Sequence, residues 1–325
     1  MAAITLVEAV TQALAYELAH DPDVVVFGED VGQNGGVFRA TEGLAQRFSA
    51  RRVRDTPLSE NLIAGLAVGM SAQGLKPVAE IQFSGFIHAT LDQLYNHASR
   101  LRNRTCGRLS CPLVIRAPYG AGIHAPEHHS ESTEAVFAHI PGVRVVIPSS
   151  PAKAYGLLLA SIRDPDPVMF FEPTRIYRKV KEEVPDDGEA LPLDVCFVLR
   201  EGKDVTLVSW GAMMQETLEA AEQLAKQGIS AEVIDVATIK PLDMDTILAS
   251  VEKTGRCVIV HEAVRTCGVG AEIAANIAEY GLTSLMAPVK RVAGYDTIVP
   301  LYRLEKEYLP STNRILQTVQ EILEF

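Results

Sequence analysis

The chain has 325 residues, enough for two domains of roughly 150 residues that each bury a hydrophobic core. Hydrophobic residues make up 47% and charged residues 22%, a composition that argues against intrinsic disorder. The formal net charge of -11 argues against nucleic acid as a partner. No run approaches 18 apolar residues, so we expect no membrane-spanning segment and no membrane partner.

The N-terminal segment has no basic region, and Glu8 and Glu17 interrupt its apolar pattern. It therefore matches neither a signal peptide nor a transit peptide. The five cysteines are scattered and odd in number, which is typical of reduced thiols rather than of a disulfide framework. We accordingly expect a cytoplasmic protein of bacterial or archaeal type.

Helix and strand patterns alternate through the first half of the chain. A capping-box pattern at Thr5 and Glu8 predicts a helix that ends near His20, and the apolar run from Val24 to Phe27 predicts a strand buried on both faces of a parallel sheet. Further strands are predicted at 78–83, 113–117, 143–147 and 168–171, with helices near 60–73, 86–102 and 151–163. This alternation predicts an α/β fold.

A charged segment with prolines interrupts the alternation. Residues 179–193, KVKEEVPDDGEALPL, are typical of an interdomain linker. The pattern then resumes, with strands near 205–210, 231–236 and 257–261 and helices near 213–226 and 243–251. We therefore expect a first domain over 1–178, a linker over 179–195 and a smaller open α/β domain over 196–325.

Glu60 lies where a turn leads into a helix. Pro57 disfavours helix at the residue before it and Ser59 is a favourable N-cap, so Glu60 falls in the first turn, where the helix dipole stabilises a carboxylate. Glycine in a helix costs about 1 kcal/mol relative to alanine. Gly65 and Gly69 nevertheless occur in this helix, at a spacing that lets the chain's own sheet or another subunit approach closely.

Two further segments follow predicted strands, at the position where open α/β sheets bind ligands. Glu29 and Asp30 come directly after the first strand, where they either contact a ligand or simply form a turn. Phe86 follows the strand near 78–83, and its ring either stacks on a flat heterocycle or packs in the core.

A loop rich in glycine and proline, residues 119–132, holds three of the chain's eight histidines. The side chains of His124, His128 and His129 suit both proton transfer near neutral pH and metal binding. A catalytic loop, a transition-metal site and a solvated loop therefore all stay open at this point. The chain has no GxxxxGK[ST] and no GxSxG motif, which argues against P-loop and α/β-hydrolase chemistry.

Six segments carry a resemblance to a known family. They are GEDVGQNGGVFRATEGL (28–44), DTPLSENLIAG (55–65), PVAEIQFSGF (77–86), HHSESTEAVFAHIPGVRVVIPSSP (128–151), DPVMFFEPTRIYR (166–178) and VIVHEA (259–264). Together they closely resemble the beta subunits of the decarboxylating component of 2-oxo acid dehydrogenases, of both the pyruvate and the branched-chain type. The resemblance covers essentially the whole chain, in order and with the family's spacing.

This resemblance implies a pyrimidine-binding α/β domain followed by a transketolase-like C-terminal domain. It also implies that thiamine diphosphate lies between this chain and an alpha subunit, which holds the diphosphate and Mg²⁺, in an alpha-two beta-two heterotetramer. That division fits a sequence without a GDG element followed by paired asparagines, the pattern that holds magnesium diphosphate in thiamine-diphosphate enzymes. Such a heterotetramer decarboxylates a 2-oxo acid and acylates the lipoyl group of an acyltransferase partner.

The resemblance also assigns residues. Glu60 matches the glutamate that hydrogen-bonds the pyrimidine ring of the cofactor and promotes the imino form that deprotonates the thiazolium carbon. His129 matches the histidine that handles protons during decarboxylation and acyl transfer. The remaining cofactor-binding positions are Glu29, Leu58, Gln82 and Phe86, the last of which packs on the pyrimidine.

Beta subunits of this family can also carry a structural potassium ion, with main-chain carbonyls supplying much of the site. The matching positions in this chain are Leu113, Val114, Ser161, Asp164 and Asp166.

Other hypotheses remain beside the leading one. Within the same family, the substrate is pyruvate or a branched-chain 2-oxo acid, and an acetoin dehydrogenase-type beta subunit is an alternative. A self-contained transketolase or synthase would need its own diphosphate motif. A non-enzymatic alternative is a metal-binding module built on His124, His128 and His129.

Overall fold

The computed structural model describes residues 3–325, which form two compact units. One comprises the chain up to Tyr119 together with Val136–Leu193, and the other comprises Gly120–Ala135 together with Asp194–Phe325. The domain limits expected at 178 and 196 stay a prediction, because compactness alone does not show where a segment folds by itself. Among the described helices, none is long and apolar enough to cross a membrane.

A parallel sheet forms the centre of the first unit. The strands of this unit are β1 (Ile4–Thr5), β2 (Val24–Gly28), β3 (Val53–Asp55), β4 (Lys76–Glu80), β5 (Val114–Tyr119), β6 (Arg144–Val146), β7 (Val168–Pro173) and β8 (Lys181–Glu182). The sheet strands of this unit pair in parallel in the order β6-β7-β5-β4-β2-β3, while β1 and β8 pair antiparallel. Strands β2, β5 and β7 are buried throughout, as expected of a sheet covered on both faces.

Helices connect these strands. They are α1 (Leu6–His20), α2 (Leu44–Phe48), α3 (Glu60–Ala72), α4 (Leu91–Asn96), α5 (Leu101–Arg104), α6 (Glu134–Ala138), where the chain returns to this unit, and α7 (Pro151–Arg163). The predicted capping box is present at the start of α1. Thr5 Oγ1 accepts the N–H of Glu8, and Glu8 Oε2 accepts the N–H of Thr5 at 2.7 Å. The buried face of α1 packs on α7.

The second unit has its own open sheet. Its elements are β9 (Phe197–Arg200), β10 (Val205–Ser209), α8 (Met214–Lys226), β11 (Ala231–Asp235), β12 (Thr238–Lys240), α9 (Met244–Thr254), β13 (Cys257–Val264), α10 (Val269–Tyr280), β14 (Lys290–Gly294), α11 (Tyr302–Tyr308) and α12 (Thr312–Leu323). The sheet order is β14-β13-β10-β11-β9, with only β9 antiparallel to its neighbour. Both units are thus α/β, as the alternation predicted.

Two predicted elements differ from the structure. The strand predicted at 78–83 ends at Glu80, and the helix predicted near 86–102 is replaced by short helical segments. Side chains compete with the backbone there, because Ser99 Oγ and Arg100 Nε both donate to the carbonyl of Tyr95 at 2.9 Å. That carbonyl would accept the N–H of Ser99 in a continuous helix. The sequence pattern also does not predict β14 or the helices α10 to α12.

Candidate active site

Polar side chains meet where β2 and β4 end side by side. Gly28 of β2 pairs with Glu80 of β4, and Glu29 follows β2 directly. Gln82 lies two residues beyond β4, and its Nε2 donates to the carbonyl of Glu29 at 3.4 Å and to the carboxylate of Asp30 at 3.3 Å. Gln82 therefore connects the loop after β2 to the end of β4 by hydrogen bonds.

The carboxyl group of Glu29 faces the start of α3. The backbone N–H of Ser59, the N-cap residue of α3, donates to it, although the Ser59 side chain makes no capping bond. Glu29 is only 8% exposed, and within residues 3–325 its Oε1 is buried without a hydrogen-bond partner. Burial raises the pKa of Glu29, and the negative charges of Glu60 and Asp30 raise it further. A carboxyl in this state is suited to a ligand that donates a proton or a hydrogen bond.

Glu60 is the first residue of α3, as predicted, and it is half-buried beside Glu29. Leu58 is 81% exposed in the turn before it. Phe86 is 40% exposed and packs edge-on against Phe83, with ring centroids 6.1 Å apart. The structure thus brings Glu29, Glu60 and Gln82 together and leaves two apolar side chains, Leu58 and Phe86, open to a ligand or a partner.

Sequence reasoning missed a buried charge cluster in the same unit. Arg116 on β5 is 1% exposed and lies between Glu80 on β4 and Glu172 on β7. Its Nε is 2.6 Å from Glu172 Oε1 and its Nη1 is 2.9 Å from Glu80 Oε2, while the Tyr177 hydroxyl donates to Glu172 at 2.6 Å. The sequence does contain a signal for this cluster, because each of its charged residues lies within or directly after an apolar run that predicts a buried strand.

The cluster is linked to Phe86 by a series of rings. Tyr177 contacts Phe38 with centroids 5.3 Å apart, and Phe38 contacts Phe83 at 5.9 Å. Phe83 in turn contacts Phe86. Aromatic packing therefore extends from the buried charges to the exposed ring of Phe86.

The three loop histidines lie in the second unit. His128 and His129 end a short 3-10 turn, Glu127–His129, with ring centroids 3.9 Å apart. Burial lowers the pKa of His129, and the charge of neighbouring His128 lowers it further. His124 Nδ1 instead lies 2.6 Å from a carboxylate oxygen of Glu305. Among the described residues, no group of three or more His, Cys, Asp or Glu side chains could hold a metal ion, so the metal-binding alternative has no structural support.

The predicted potassium positions cluster near the start of β5 and the end of α7. Their polar side chains have partners inside the protein: Ser161 Oγ donates to the carbonyl of Leu157, Asp164 pairs with Arg144 at 3.0 Å, and Asp166 pairs with Arg102 at 2.8 Å. The carbonyl of Leu113 accepts the N–H of Val168. A cation bound here would therefore need main-chain carbonyl oxygens as ligands. The potassium site formed by Leu113, Val114, Ser161, Asp164 and Asp166 stays a prediction.

Fold and site together define a class of protein: a two-unit α/β chain of the transketolase type. Residues 2–180 match the family model "Transketolase, pyrimidine binding domain", and residues 196–315 match "Transketolase, C-terminal domain". A solved structure, a split gene transketolase described as an inactive beta4 tetramer, is similar with a TM-score of 0.82 over 99% of both chains. At 24% sequence identity, that likeness supports the fold alone.

Sequence comparison narrows the class. Over 325 residues, and with both chains covered completely, the sequence is 49% identical to the pyruvate dehydrogenase E1 component subunit beta of Bacillus subtilis. The proteins of the same name from Staphylococcus epidermidis and Staphylococcus aureus are 49% and 48% identical over the same length. The chain belongs to the family of 2-oxo acid dehydrogenase E1 beta subunits, which confirms the resemblance and the fold class expected from the sequence.

Proposed function

We propose that this chain, together with an alpha-type subunit, carries out the thiamine-diphosphate-dependent oxidative decarboxylation of pyruvate and the reductive acetylation of a lipoyl group. The observation that carries the proposal is that Glu60 lies beside the buried carboxyl of Glu29, whose Oε1 has no partner within residues 3–325, at the edge of a parallel sheet. The choice of pyruvate rests on relatives that are about half identical over their whole length.

The residues at the sheet edge fit the pyrimidine end of thiamine diphosphate. Glu29 Oε1 is a buried oxygen without a partner in residues 3–325, and a polar ring edge would satisfy it. Phe86 offers an exposed aromatic face and Leu58 an exposed apolar side chain. When bound, the cofactor supplies the carbanion-stabilising chemistry that amino-acid side chains lack.

The chain's own residues control position and protons. We propose that Glu60 holds a proton at a pyrimidine ring nitrogen and that Glu29 hydrogen-bonds the ring through Oε1, which has no partner within residues 3–325. Gln82 positions the backbone of Glu29 through its amide. His129, whose lowered pKa favours the neutral imidazole, accepts or returns a proton during decarboxylation and acyl transfer.

An alpha-type partner completes this proposal. The sequence has no motif for the magnesium diphosphate, so we propose that the partner binds that part of the cofactor. Exposed apolar side chains support an assembly, since large apolar patches on a protein surface mark interaction sites. They lie on α3 (Leu62, Leu66) and before and within α11 (Ile298, Leu301, Tyr302, Leu304). A lipoyl-bearing acyltransferase would receive the acyl group.

Glu60→Gln tests the proposal in the complex assembled from this chain and its alpha-type partner. Glutamine keeps the size of the side chain, but its neutral amide cannot share a proton with the pyrimidine ring nitrogen as a carboxylate does. We therefore expect the turnover number with pyruvate to fall by about 100-fold or more. The measurement is the steady-state rate of lipoyl-domain acetylation. Rates with 2-oxobutyrate and 2-oxoisovalerate, measured in the same complex, define the substrate.

Glu222→Gln, an exposed carboxylate on α8, is the matched control and should keep the wild-type rate. Full activity of the Glu60→Gln complex would refute the role of Glu60. A preference for 2-oxoisovalerate over pyruvate would instead refute the choice of substrate while leaving the family reaction in place.

A further inference from the structure

The histidine loop, residues 120–132, has a backbone that needs external support. Gly120, Gly122 and His124 have φ values of +82°, +101° and +60°, and left-handed backbone is unfavourable for a residue with a side chain such as His124. Two buried carboxylates of the second unit contact this part of the loop. Neither of them belongs to the loop itself.

Glu262, near the end of β13, is 3% exposed and accepts the N–H of Ala121 through Oε2 at 2.9 Å. The contact also explains a glycine, because a Cβ on Gly120 would lie 2.8 Å from both carboxylate oxygens of Glu262. Ala121 further packs in a small buried cluster with Val299, Tyr308 and Leu309. The first turn of the loop is therefore held from two sides.

Glu305 lies on α11, and its side chain is buried. Its Oε1 accepts the N–H of Gly122 at 2.8 Å, and its Oε2 lies 2.6 Å from Nδ1 of His124. Within the described residues, both of these side-chain contacts are with the loop. Burying a carboxylate costs free energy unless it is paired or hydrogen-bonded. The loop groups that bind Glu305 therefore offset the cost of burying it.

The far end of the loop is closed by its own backbone. The N–H of His129 donates to the carbonyl of Pro126 at 2.9 Å, and the N–H of Gly120 donates to the carbonyl of Glu131 at 3.3 Å. Glu131, which accepts the N–H of Gly120, lies two residues after His129, so the start of the loop is hydrogen-bonded to the backbone next to His129. The loop is therefore hydrogen-bonded within itself at His129 and Gly120, and to the two carboxylates at Ala121 and Gly122.

We propose that Glu262 and Glu305 are positioning residues that hold the histidine loop in the conformation from which His129 acts. The inference rests on the proposed function of His129 and extends it to residues of the second unit. Neither carboxylate needs to touch the substrate. Each acts by accepting a loop N–H, and Glu305 also by pairing with His124.

The test uses the complex of this chain with its alpha-type partner and compares Glu305→Ala with Glu305→Gln. Alanine removes both contacts, whereas glutamine keeps an oxygen for the N–H of Gly122. We expect Glu305→Ala to lower kcat by about tenfold with less than about a twofold change in KM for pyruvate, and Glu305→Gln to restore most of the rate. Glu307→Ala, an exposed residue on the same helix, is the control.

Two further measurements separate positioning from a purely structural role. Hydrogen exchange, followed by mass spectrometry, should become about tenfold faster in the loop peptides of Glu305→Ala and not elsewhere. In a His129→Ala background, Glu305→Ala should have no further effect on kcat, because it acts through His129. Gly122→Ala, which strains the loop from its own side, should reproduce the loss of kcat if Glu305→Ala fails to fold.

Faster loop exchange without a change in kcat, or a loss of kcat without faster exchange, would overturn the proposal. So would full additivity of Glu305→Ala and His129→Ala. If the wild-type complex does not turn over pyruvate or another 2-oxo acid, the proposed function fails first, and the positioning role fails with it. If the wild-type complex is active and Glu305→Ala leaves kcat unchanged, the positioning role alone is refuted.

Discussion

The carboxyl group of Glu29 lies in surroundings unlike those of an ordinary surface glutamate. Burial raises its pKa above 4.5, and Glu60 and Asp30 add two negative charges nearby. The N–H of Ser59 opposes this shift but does not cancel it. The group thus retains a proton to higher pH in the folded chain than in the unfolded chain, which couples the state of the site to folding stability.

Glu29→Gln should change the pH dependence of stability. Because the folded pKa is raised, the contribution of Glu29 is most favourable below about pH 4.5 and is lost as the pH rises through the folded value. The free energy of unfolding of the variant, relative to wild type, should therefore increase as the pH rises from 4.5 through the raised pKa of the folded state. Urea denaturation followed by circular dichroism measures it.

Glu42→Gln, an exposed carboxylate in the same unit, is the control and should show no such trend. A difference between Glu29→Gln and wild type that stays constant over this pH range would contradict a raised pKa at Glu29.

At the scale of elements, three neighbouring strands are joined by charge as well as by backbone pairing. Strands β4, β5 and β7 each contribute one member of the cluster Glu80, Arg116 and Glu172. Burial of charges is expensive, and the cluster persists because the guanidinium group satisfies both carboxylates. Since β4 leads directly to Gln82, the cluster also fixes the strand end on which the candidate site is built.

Arg116→Met should destabilise the folded chain by about 3–5 kcal/mol, because it leaves two buried carboxylates without their cation. Tyr177→Phe, which removes one hydrogen bond to Glu172, should cost about 1–3 kcal/mol. The loss in Arg116→Met should shrink as the pH falls, since Glu80, whose pKa burial raises, can then take up a proton. Urea denaturation at several pH values measures both variants.

The matched control is Arg102→Met, which breaks an exposed ion pair with Asp166 and should cost less than about 1 kcal/mol. Equal stability of Arg116→Met and Arg102→Met would contradict a structural role for the buried cluster.

At the scale of the whole molecule, the chain matches a pyrimidine-binding domain model but has no sequence motif for the magnesium diphosphate of the proposed cofactor. Its surface includes apolar side chains whose exposure to water is unfavourable. Ile298 is 68% exposed and Leu301 is 65% exposed. Both features favour a protein that works as part of an assembly.

The isolated chain should therefore be inactive with pyruvate, and thiamine diphosphate with Mg²⁺ should bind it weakly or not at all. Adding the alpha-type subunit should restore both binding and turnover, with a maximum at a one-to-one ratio of chains. Isothermal titration calorimetry and the steady-state rate during titration of one chain with the other measure these effects. Tight cofactor binding by this chain alone would favour the self-contained transketolase or synthase instead.

Local signals in the sequence determine a large part of this protein. Periodicity predicts the α/β alternation, the capping box places the start of α1, and Pro57 with Ser59 places Glu60 in the first turn of α3. These features follow from residues within a few positions of one another, which is why a single sequence contains them. The role proposed for Glu60, and the choice of His129 over His128, rest on the family resemblance rather than on spacing.

Tertiary structure decides what lies beside each local feature. Glu29 and Glu60 become neighbours only when the loop after β2 lies beside the start of α3, and the backbone N–H of Gly122 meets Glu305 across 183 positions of sequence. Likewise, the helix expected near 86–102 is interrupted by side chains that compete for backbone carbonyls. Hydrogen bonds and buried charge pairs of this kind depend on distance in space, which no pattern of nearby residues encodes.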